Sequence, residues 1–136
     1  MRRLLLVDDD IHILHAFQRT LRQCFLGNAP EIEIHTEPEE ALLRYGQVDY
    51  DIVISDYRMP GINGVEFLKM VRAIQSDAMR LVLSASTEFD VVMNAINQAE
   101  VFRYITKPWQ LDELRQTILL ALSLRDKTDR QKIKLD

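Results

Sequence analysis

The sequence predicts an α/β fold with a doubly wound, five-stranded parallel sheet, and two observations lead to this class. Five short runs rich in Val, Ile and Leu occur along the chain, each as long as a β-strand. Between them, apolar residues recur every three or four positions, as they do on the buried face of an amphipathic helix. This alternation is typical of a parallel sheet that carries helices on both faces and is joined by right-handed crossovers.

The predicted strands and helices follow one another along the whole chain. The strand-like runs are residues 4–7, 32–35, 52–55, 81–84 and 101–105. Helical periodicity is clear from Ile11 to Phe25 and from Val65 to Ile74, and the last helix is predicted to begin after Pro108. For five β-α units the usual strand order is 2-1-3-4-5, which places strands one and three side by side.

Length and composition narrow the class of protein. A chain of 136 residues is long enough for one folded domain with its own core. Apolar residues make up 47% of it, and no run approaches the roughly 20 apolar residues of a membrane span. The short apolar run after Met-Arg-Arg is no signal-peptide core, so the expected location is the cytoplasm. The net charge of −4 argues against direct nucleic-acid binding, and the single Cys24 excludes an internal disulfide.

The C-terminal segment differs in composition from the rest of the chain. Residues 125–136 read RDKTDRQKIKLD and contain only Ile133 and Leu135 as apolar residues. We therefore expect the folded domain to span residues 1–124, followed by a polar helical extension or a linker.

Acidic residues follow two strands that the predicted order makes neighbours. Asp8, Asp9 and Asp10 come directly after strand one, and Asp56 comes directly after strand three. Because ligands of such sheets bind at the carboxyl ends of the strands, these carboxylates are predicted to share one site. Crowded carboxylates repel one another unless a cation neutralises them, and an oxygen-only site with waters suits Mg²⁺.

Each of these acids also has a simpler interpretation. Asp9 or Asp10 is expected to cap the helix that begins near Ile11, and Asp56 alone is compatible with an ordinary turn before Pro60-Gly61. Two further side chains favour a functional site, because Ser84 ends strand four and Lys107 ends strand five. An acid cluster, a hydroxyl and an amine at one edge of a sheet together indicate a phosphoryl site.

These residues resemble the receiver domain of two-component response regulators, a family with a flavodoxin-like fold. The resemblance covers about residues 4–124 and includes every functional position of the family pattern. The matching positions are the acidic pair Asp8 and Asp9, Asp56 in "DYRMPGINGVE", Ser84, Tyr104 and the Lys107-Pro108 pair. Asp10 is an extra acid that we assign to the helix start.

The resemblance implies that Asp56 accepts a phosphoryl group from a sensor histidine kinase or a phosphotransfer protein. It implies that Asp8, Asp9, Asp56 and the backbone carbonyl of Arg58 hold Mg²⁺. Lys107 and Ser84 are then expected to bind phosphoryl oxygens, and Ser84 and Tyr104 to form a conformational switch. On this interpretation the chain is a signalling domain that assists its own phosphorylation and dephosphorylation, and not an enzyme in the usual sense.

The resemblance also implies partners beyond the kinase. The face of the fourth helix, fifth strand and fifth helix is expected to carry the output, including through a homodimer. The stretch "FRYITKPW" resembles receivers joined to larger outputs, so a covalent output domain is expected after the C-terminus.

One enzyme class remains as an alternative. Asp8-x-Asp10 after a strand resembles the nucleophile motif of haloacid-dehalogenase-type phosphatases. That family would have Thr or Val where this chain has His12, and it would leave Asp56 without a role.

Overall fold

The predicted sheet and its strand order are confirmed by the structure. A computed structural model describes residues 2–135 of the chain, with side chains described from 2 to 127. All five strands are parallel and lie in the order β2-β1-β3-β4-β5. Their bounds are β1 Arg3–Val7, β2 Glu31–His35, β3 Ile52–Asp56, β4 Met79–Ala85 and β5 Arg103–Lys107.

The helices cover both faces of the sheet, as a doubly wound fold requires. They are α1 Ile11–Phe25, α2 Pro38–Tyr45, α3 Gly64–Ile74, α4 Phe89–Ala95 and α5 Leu111–Leu135. The helices α1 and α5 pack on one face, and α2, α3 and α4 pack on the other. Within the described part of the chain, no helix combines the length and the apolar character that crossing a bilayer would demand.

Strand side chains alternate between the two layers of the core. The buried Leu4 and Leu6 of β1 face α1 and α5, whereas Leu5 and Val7 face the opposite layer. Burial on both faces explains why β1 is an unbroken apolar run. The carboxyl ends of β1 and β3 consequently lie side by side at one edge of the sheet.

The fifth strand begins two residues later than the sequence pattern predicts. Val101 and Phe102 lie before the strand: the Val101 amide donates to the carbonyl of Ile96, and the Phe102 amide donates to the carbonyl of Arg80 in β4. Both residues pack against the core from this segment, which accounts for their apolar character outside the strand. The shift places Lys107 inside β5 as its last residue.

The last helix continues beyond the predicted end of the domain. Near residue 125 it is tied to the base of the sheet, because Arg2 pairs with Asp126 and Arg125 Nε lies 3.9 Å from Asp51 Oδ1. Of the predicted extension or linker, residue 136 and the side chains after 127 lie outside the described residues.

Candidate functional site

The predicted acid cluster forms where β1 and β3 end next to each other. Asp8 follows β1 directly, and Asp56 is the last residue of β3. Both side chains are buried, whereas Asp9 is exposed at the edge of the cluster. Oxygen atoms of Asp8, Asp9 and Asp56 all lie within 4.8 Å of one another.

Lys107 joins this cluster from the far side of β4. It ends β5 opposite Ala85, and its side chain reaches past the end of β4 to the carboxylates. Lys107 Nζ lies 2.8 Å from Asp56 Oδ1 and 3.0 Å from Asp8 Oδ2. One ammonium group thus contacts both buried carboxylates at once.

The electrostatics of the cluster show an excess of negative charge. The pKa of Asp56 is raised to about 6, chiefly by burial and further by repulsion from Asp8 and Asp9, while Lys107 opposes the shift. Burial also raises the pKa of Asp8, although the Asp10 amide and Lys107 lower it in part. Burial alone would lower the pKa of Lys107, but its contacts with Asp56 and Asp8 outweigh this and raise it.

These residues fit a hard divalent cation. Three carboxylates face a single ammonium group, so one further positive charge would relieve their repulsion. Among the residues that the structure describes, the donors in this cluster are carboxylate oxygens, and one of the three carboxylates is open to solvent. Mg²⁺ prefers a few carboxylates supplemented by waters, which is the arrangement that this edge of the sheet offers.

The loop after Asp56 is shaped by two glycines with different roles. Gly61 has φ of +90°, a left-handed conformation that glycine adopts without strain. Gly64 lies directly on the backbone of Asp56, where an added Cβ would overlap the carbonyl oxygen and stand 2.9 Å from the carbonyl carbon. Gly61 is therefore required by the dihedral angles of the turn, whereas Gly64 is required by close approach to the Asp56 backbone.

Ser84 lies at the predicted edge, but its hydroxyl is engaged elsewhere. Ser84 Oγ donates to Glu88 Oε1 at 2.6 Å, and the Ala85 amide donates to the same oxygen at 3.2 Å. The other oxygen, Glu88 Oε2, pairs with Arg58 Nε. Across the described residues, no hydrogen bond connects Ser84 with Asp56.

Glu88 is a residue that sequence reasoning missed. It belongs to a 3-10 turn, Ser86–Glu88, between β4 and α4. Burial raises its pKa, but the bonds from Ser84 and Ala85 and the pairing with Arg58 outweigh this, so the pKa is lowered overall. Its spacing of four residues from Ser84 was the only available signal, and an acid at that distance in a loop is too common to indicate a contact.

Tyr104 contacts the same segment from β5. Its hydroxyl donates to the carbonyl of Ala85 at 2.7 Å, and the carbonyl oxygen of Ser84 lies 3.3 Å from the same hydroxyl. Its ring meets Phe89 of α4 edge to face, with ring centroids 5.6 Å apart. The two predicted switch residues are therefore joined through the backbone at the end of β4.

Asp10 lies at the start of α1, as the sequence predicts. Its carboxylate accepts from the His12 amide at 2.9 Å and caps α1. The phosphatase alternative needs Asp8 and Asp10 to act together, yet Asp10 takes no part in the acid cluster. Nothing in the geometry favours that alternative.

Comparison with known proteins agrees with this geometry. A family model described as the response regulator receiver domain matches residues 4–119. The hydrogenase transcriptional regulatory protein HoxA of Bradyrhizobium diazoefficiens is 36% identical over 125 residues, which cover 89% of this chain and 24% of HoxA. The chain thus spans about a quarter of the length of that curated relative.

Solved structures with the same fold include two receivers. The signal receiver domain of an HD domain-containing protein from Pseudomonas fluorescens Pf-5 has a TM-score of 0.85 and 25% identity, covering 95% of this chain and 92% of that one. The response regulator TrrA of Thermotoga maritima, solved in complex with Mg²⁺-BeF, has a TM-score of 0.76 and 30% identity, covering 90% and 100%. With its parallel 2-1-3-4-5 sheet, its acid cluster and a family match over most of its length, the chain belongs to the response regulator receiver domains of two-component systems.

Proposed function

We propose that Asp56 is the phosphoacceptor of this receiver domain. The observation that carries this proposal is the contact of one lysine, Lys107, with two buried carboxylates, of which only Asp56 ends a strand. A carboxylate oxygen of Asp56 attacks the phosphorus of a phosphohistidine on a sensor kinase or phosphotransfer protein. The phosphorus–nitrogen bond breaks, the histidine nitrogen keeps the electron pair, and an acyl phosphate remains on Asp56.

The neighbouring residues divide the remaining tasks. Asp8, Asp9, Asp56 and the backbone carbonyl of Arg58 would hold Mg²⁺, which neutralises charge on the transferred group when bound. Lys107 offers an ammonium group to a phosphoryl oxygen, since it already lies within contact distance of Asp56. The hydroxyl of Ser84, once it leaves Glu88, donates to another phosphoryl oxygen.

The proposed output is a change at the α4, β5 and α5 surface. Tyr104 connects this surface to the end of β4 through its bonds to the carbonyls of Ser84 and Ala85. Phe89 and Val91 of α4 and Leu120 of α5 are exposed apolar residues in this region, which suits pairing with a second copy. We also propose that the helix α5 leads from the folded domain, residues 1–124, towards an output domain, since HoxA is about four times longer than the matched region.

Phosphorylation with a small donor tests the assignment of Asp56. Incubation with acetyl phosphate and Mg²⁺ should add one phosphoryl group per chain, measured by mass spectrometry, and hydroxylamine should remove it. Asp56→Asn should abolish the addition, because an amide cannot act as the nucleophile. Asp9→Ala should weaken both Mg²⁺ binding and phosphorylation, because an oxygen-only site loses one of its charges.

Asp10→Asn provides the matched control. Asparagine caps helices as well as aspartate does, so this variant removes an acid next to the site without disturbing α1. It should be phosphorylated like the unchanged protein. Labelling of Asp8 in the Asp56→Asn variant would contradict the proposal and favour the phosphatase alternative.

A further inference from the structure

We propose that Glu88 is a positioning residue that keeps the Ser84 hydroxyl from the phosphoryl site until Asp56 is modified. Arg58 holds the other side of the same carboxylate and completes this arrangement, which we call the Glu88 latch: Ser84, Glu88 and Arg58. The inference rests on the proposed function, in which the Ser84 hydroxyl donates to a phosphoryl oxygen on Asp56.

The first step of the argument is the single proton of the Ser84 hydroxyl. A serine hydroxyl donates one hydrogen bond, and here that bond goes to Glu88 Oε1 at 2.6 Å. Such a short bond to an ionised carboxylate is of the stronger, charge-assisted kind. Because Ser84 is fully buried, water does not compete for the proton. The hydroxyl cannot donate to Glu88 and to a phosphoryl oxygen at the same time.

The second step concerns the loops that the carboxylate joins. Ser84 and Ala85 belong to the end of β4, whereas Arg58 belongs to the loop between Asp56 and α3. The Glu88 latch therefore links the two segments that border the acid cluster on the β4 side. Arg58 reaches Glu88 across the surface, since its own side chain is 74% exposed while that of Glu88 is 10% exposed.

The third step is the effect of a phosphoryl group on this link. A phosphoryl group on Asp56 is strongly anionic and accepts hydrogen bonds, so it attracts both the Ser84 proton and the Arg58 guanidinium. Because Ser84 has a single hydroxyl proton, its hydrogen bond to Glu88 and a hydrogen bond to the phosphoryl group cannot exist together. Release of Ser84 also moves the carbonyls that Tyr104 contacts, which carries the change to the start of α4. The free energy gained from the phosphoryl contact must therefore first offset the loss of the Ser84–Glu88 hydrogen bond, so the latch lowers the affinity for a phosphoryl group.

A purely structural role for Glu88 predicts a different outcome. Glu88 also accepts from the Ala85 amide, so it could serve only to stabilise the 3-10 turn. A turn-stabilising residue would change stability equally with and without ligand, and would leave the affinity for a phosphoryl mimic unchanged. Ligand affinity therefore separates the two roles.

Beryllofluoride binding in excess Mg²⁺ provides the measurement. The dissociation constant of the full chain is obtained by NMR titration of the Asp56 backbone amide. Glu88→Gln keeps the shape of the side chain but removes its charge, and we expect it to bind about fivefold more tightly because the free state holds Ser84 less firmly. Asp90→Asn removes an exposed charge from the first turn of α4 and should stay within about twofold of the unchanged protein.

A double-mutant comparison shows whether the effect passes through the serine. In a Ser84→Ala background the latch is already broken, so Glu88→Gln should then change the dissociation constant by less than about twofold. The inference is overturned if Glu88→Gln binds beryllofluoride no more tightly than the unchanged protein. It is also overturned if Glu88→Gln increases the affinity by the same factor in the Ser84→Ala background.

A second measurement needs no variant of Glu88 and covers the case in which Glu88→Gln fails to fold. The Nε–H signal of Arg58, assigned from its loss in Arg58→Lys, should shift when beryllofluoride saturates the unchanged protein. An unaltered Arg58 signal at saturation would overturn the latch. An unchanged protein that binds no beryllofluoride would instead overturn the proposed function and this inference with it, so the two failures are distinguishable.

Discussion

At the scale of single residues, Asp56 occupies a position that costs stability. Its carboxylate is buried beside Asp8, and its pKa of about 6 means that ionisation of this carboxyl at neutral pH costs more free energy in the folded than in the unfolded chain. Lys107 compensates for only part of this, because it is shared between the two acids. Repulsion among the carboxylates therefore destabilises the folded protein when no cation is bound.

Removal of the Asp56 charge should stabilise the metal-free protein. In EDTA, Asp56→Asn should raise the free energy of unfolding at pH 7 by roughly 1–3 kcal/mol, the size expected from a pKa of about 6 against 3.8. Urea unfolding followed by circular dichroism measures the difference. Added Mg²⁺ should then stabilise the unchanged protein more than the variant.

The pH dependence of this effect has a defined direction. A folded-state pKa raised above 3.8 contributes stability that is fully present below that value and is lost as the pH rises through about 6. The difference in the free energy of unfolding between Asp56→Asn and the unchanged protein should thus grow between about pH 4 and pH 6. A gap that is constant from pH 4 to pH 7 would show that the carboxylate is not strained.

Lys107 should contribute charge to the site and little to the core. Lys107→Ala should fold in Mg²⁺ yet slow phosphorylation by acetyl phosphate roughly 100- to 1,000-fold, the usual cost of losing one preorganised electrostatic group. Lys69→Ala, on the exposed surface of α3, is the control and should react normally. Failure of Lys107→Ala to fold in Mg²⁺ would assign the lysine a structural role.

At the scale of elements, the sequence predicts the framework of the site better than its contacts. Asp8, Asp56, Ser84 and Lys107 were located from strand ends, because buried parallel strands form apolar runs that polar residues terminate visibly. The start of β5 was misplaced, because Val101, which precedes the strand, is as apolar as a strand residue. The partners of Glu88 were missed, because they depend on how a 3-10 turn folds back on β4.

Gly64 shows how one element holds Asp56 in place. Its amide donates to the carbonyl of Tyr57 at 2.7 Å, and its Cα packs on the backbone of Asp56. Gly64→Ala should lower the free energy of unfolding by roughly 1–3 kcal/mol, because a methyl group meets backbone atoms that cannot move aside cheaply.

Gly46→Ala is the comparison, since a Cβ there is no closer than 3.6 Å to its neighbours. Thermal unfolding of both variants measures the difference. Equal stability of Gly64→Ala and Gly46→Ala would mean that the loop around Asp56 relaxes freely, contrary to the packing described.

At the scale of the whole molecule, the sheet places the acid cluster and the proposed switch residues on different strands. The acids are held by β1 and β3 in the centre, whereas β4 and β5 carry Ser84 and Tyr104 towards one edge. The helix α4 near this edge is short and lies between two 3-10 turns, Ser86–Glu88 and Ile96–Ala99. The opposite edge, β2 with α2, has no described contact with Ser84 or Tyr104, so we expect it to respond less.

A stable phosphoryl mimic should therefore perturb one side of the molecule. With beryllofluoride and Mg²⁺, amide NMR signals from residues 85–99 and around Tyr104 should shift much more than those of residues 39–45 in α2. The reason is that the Tyr104 hydroxyl contacts the backbone carbonyls of Ser84 and Ala85. We therefore expect movement of the Ser84 hydroxyl towards the phosphoryl mimic to displace the segment leading into α4. Asp56→Asn under the same conditions is the control and should show none of these shifts. Shifts confined to the immediate neighbours of Asp56 would mean that the domain carries a phosphoryl group without switching this surface.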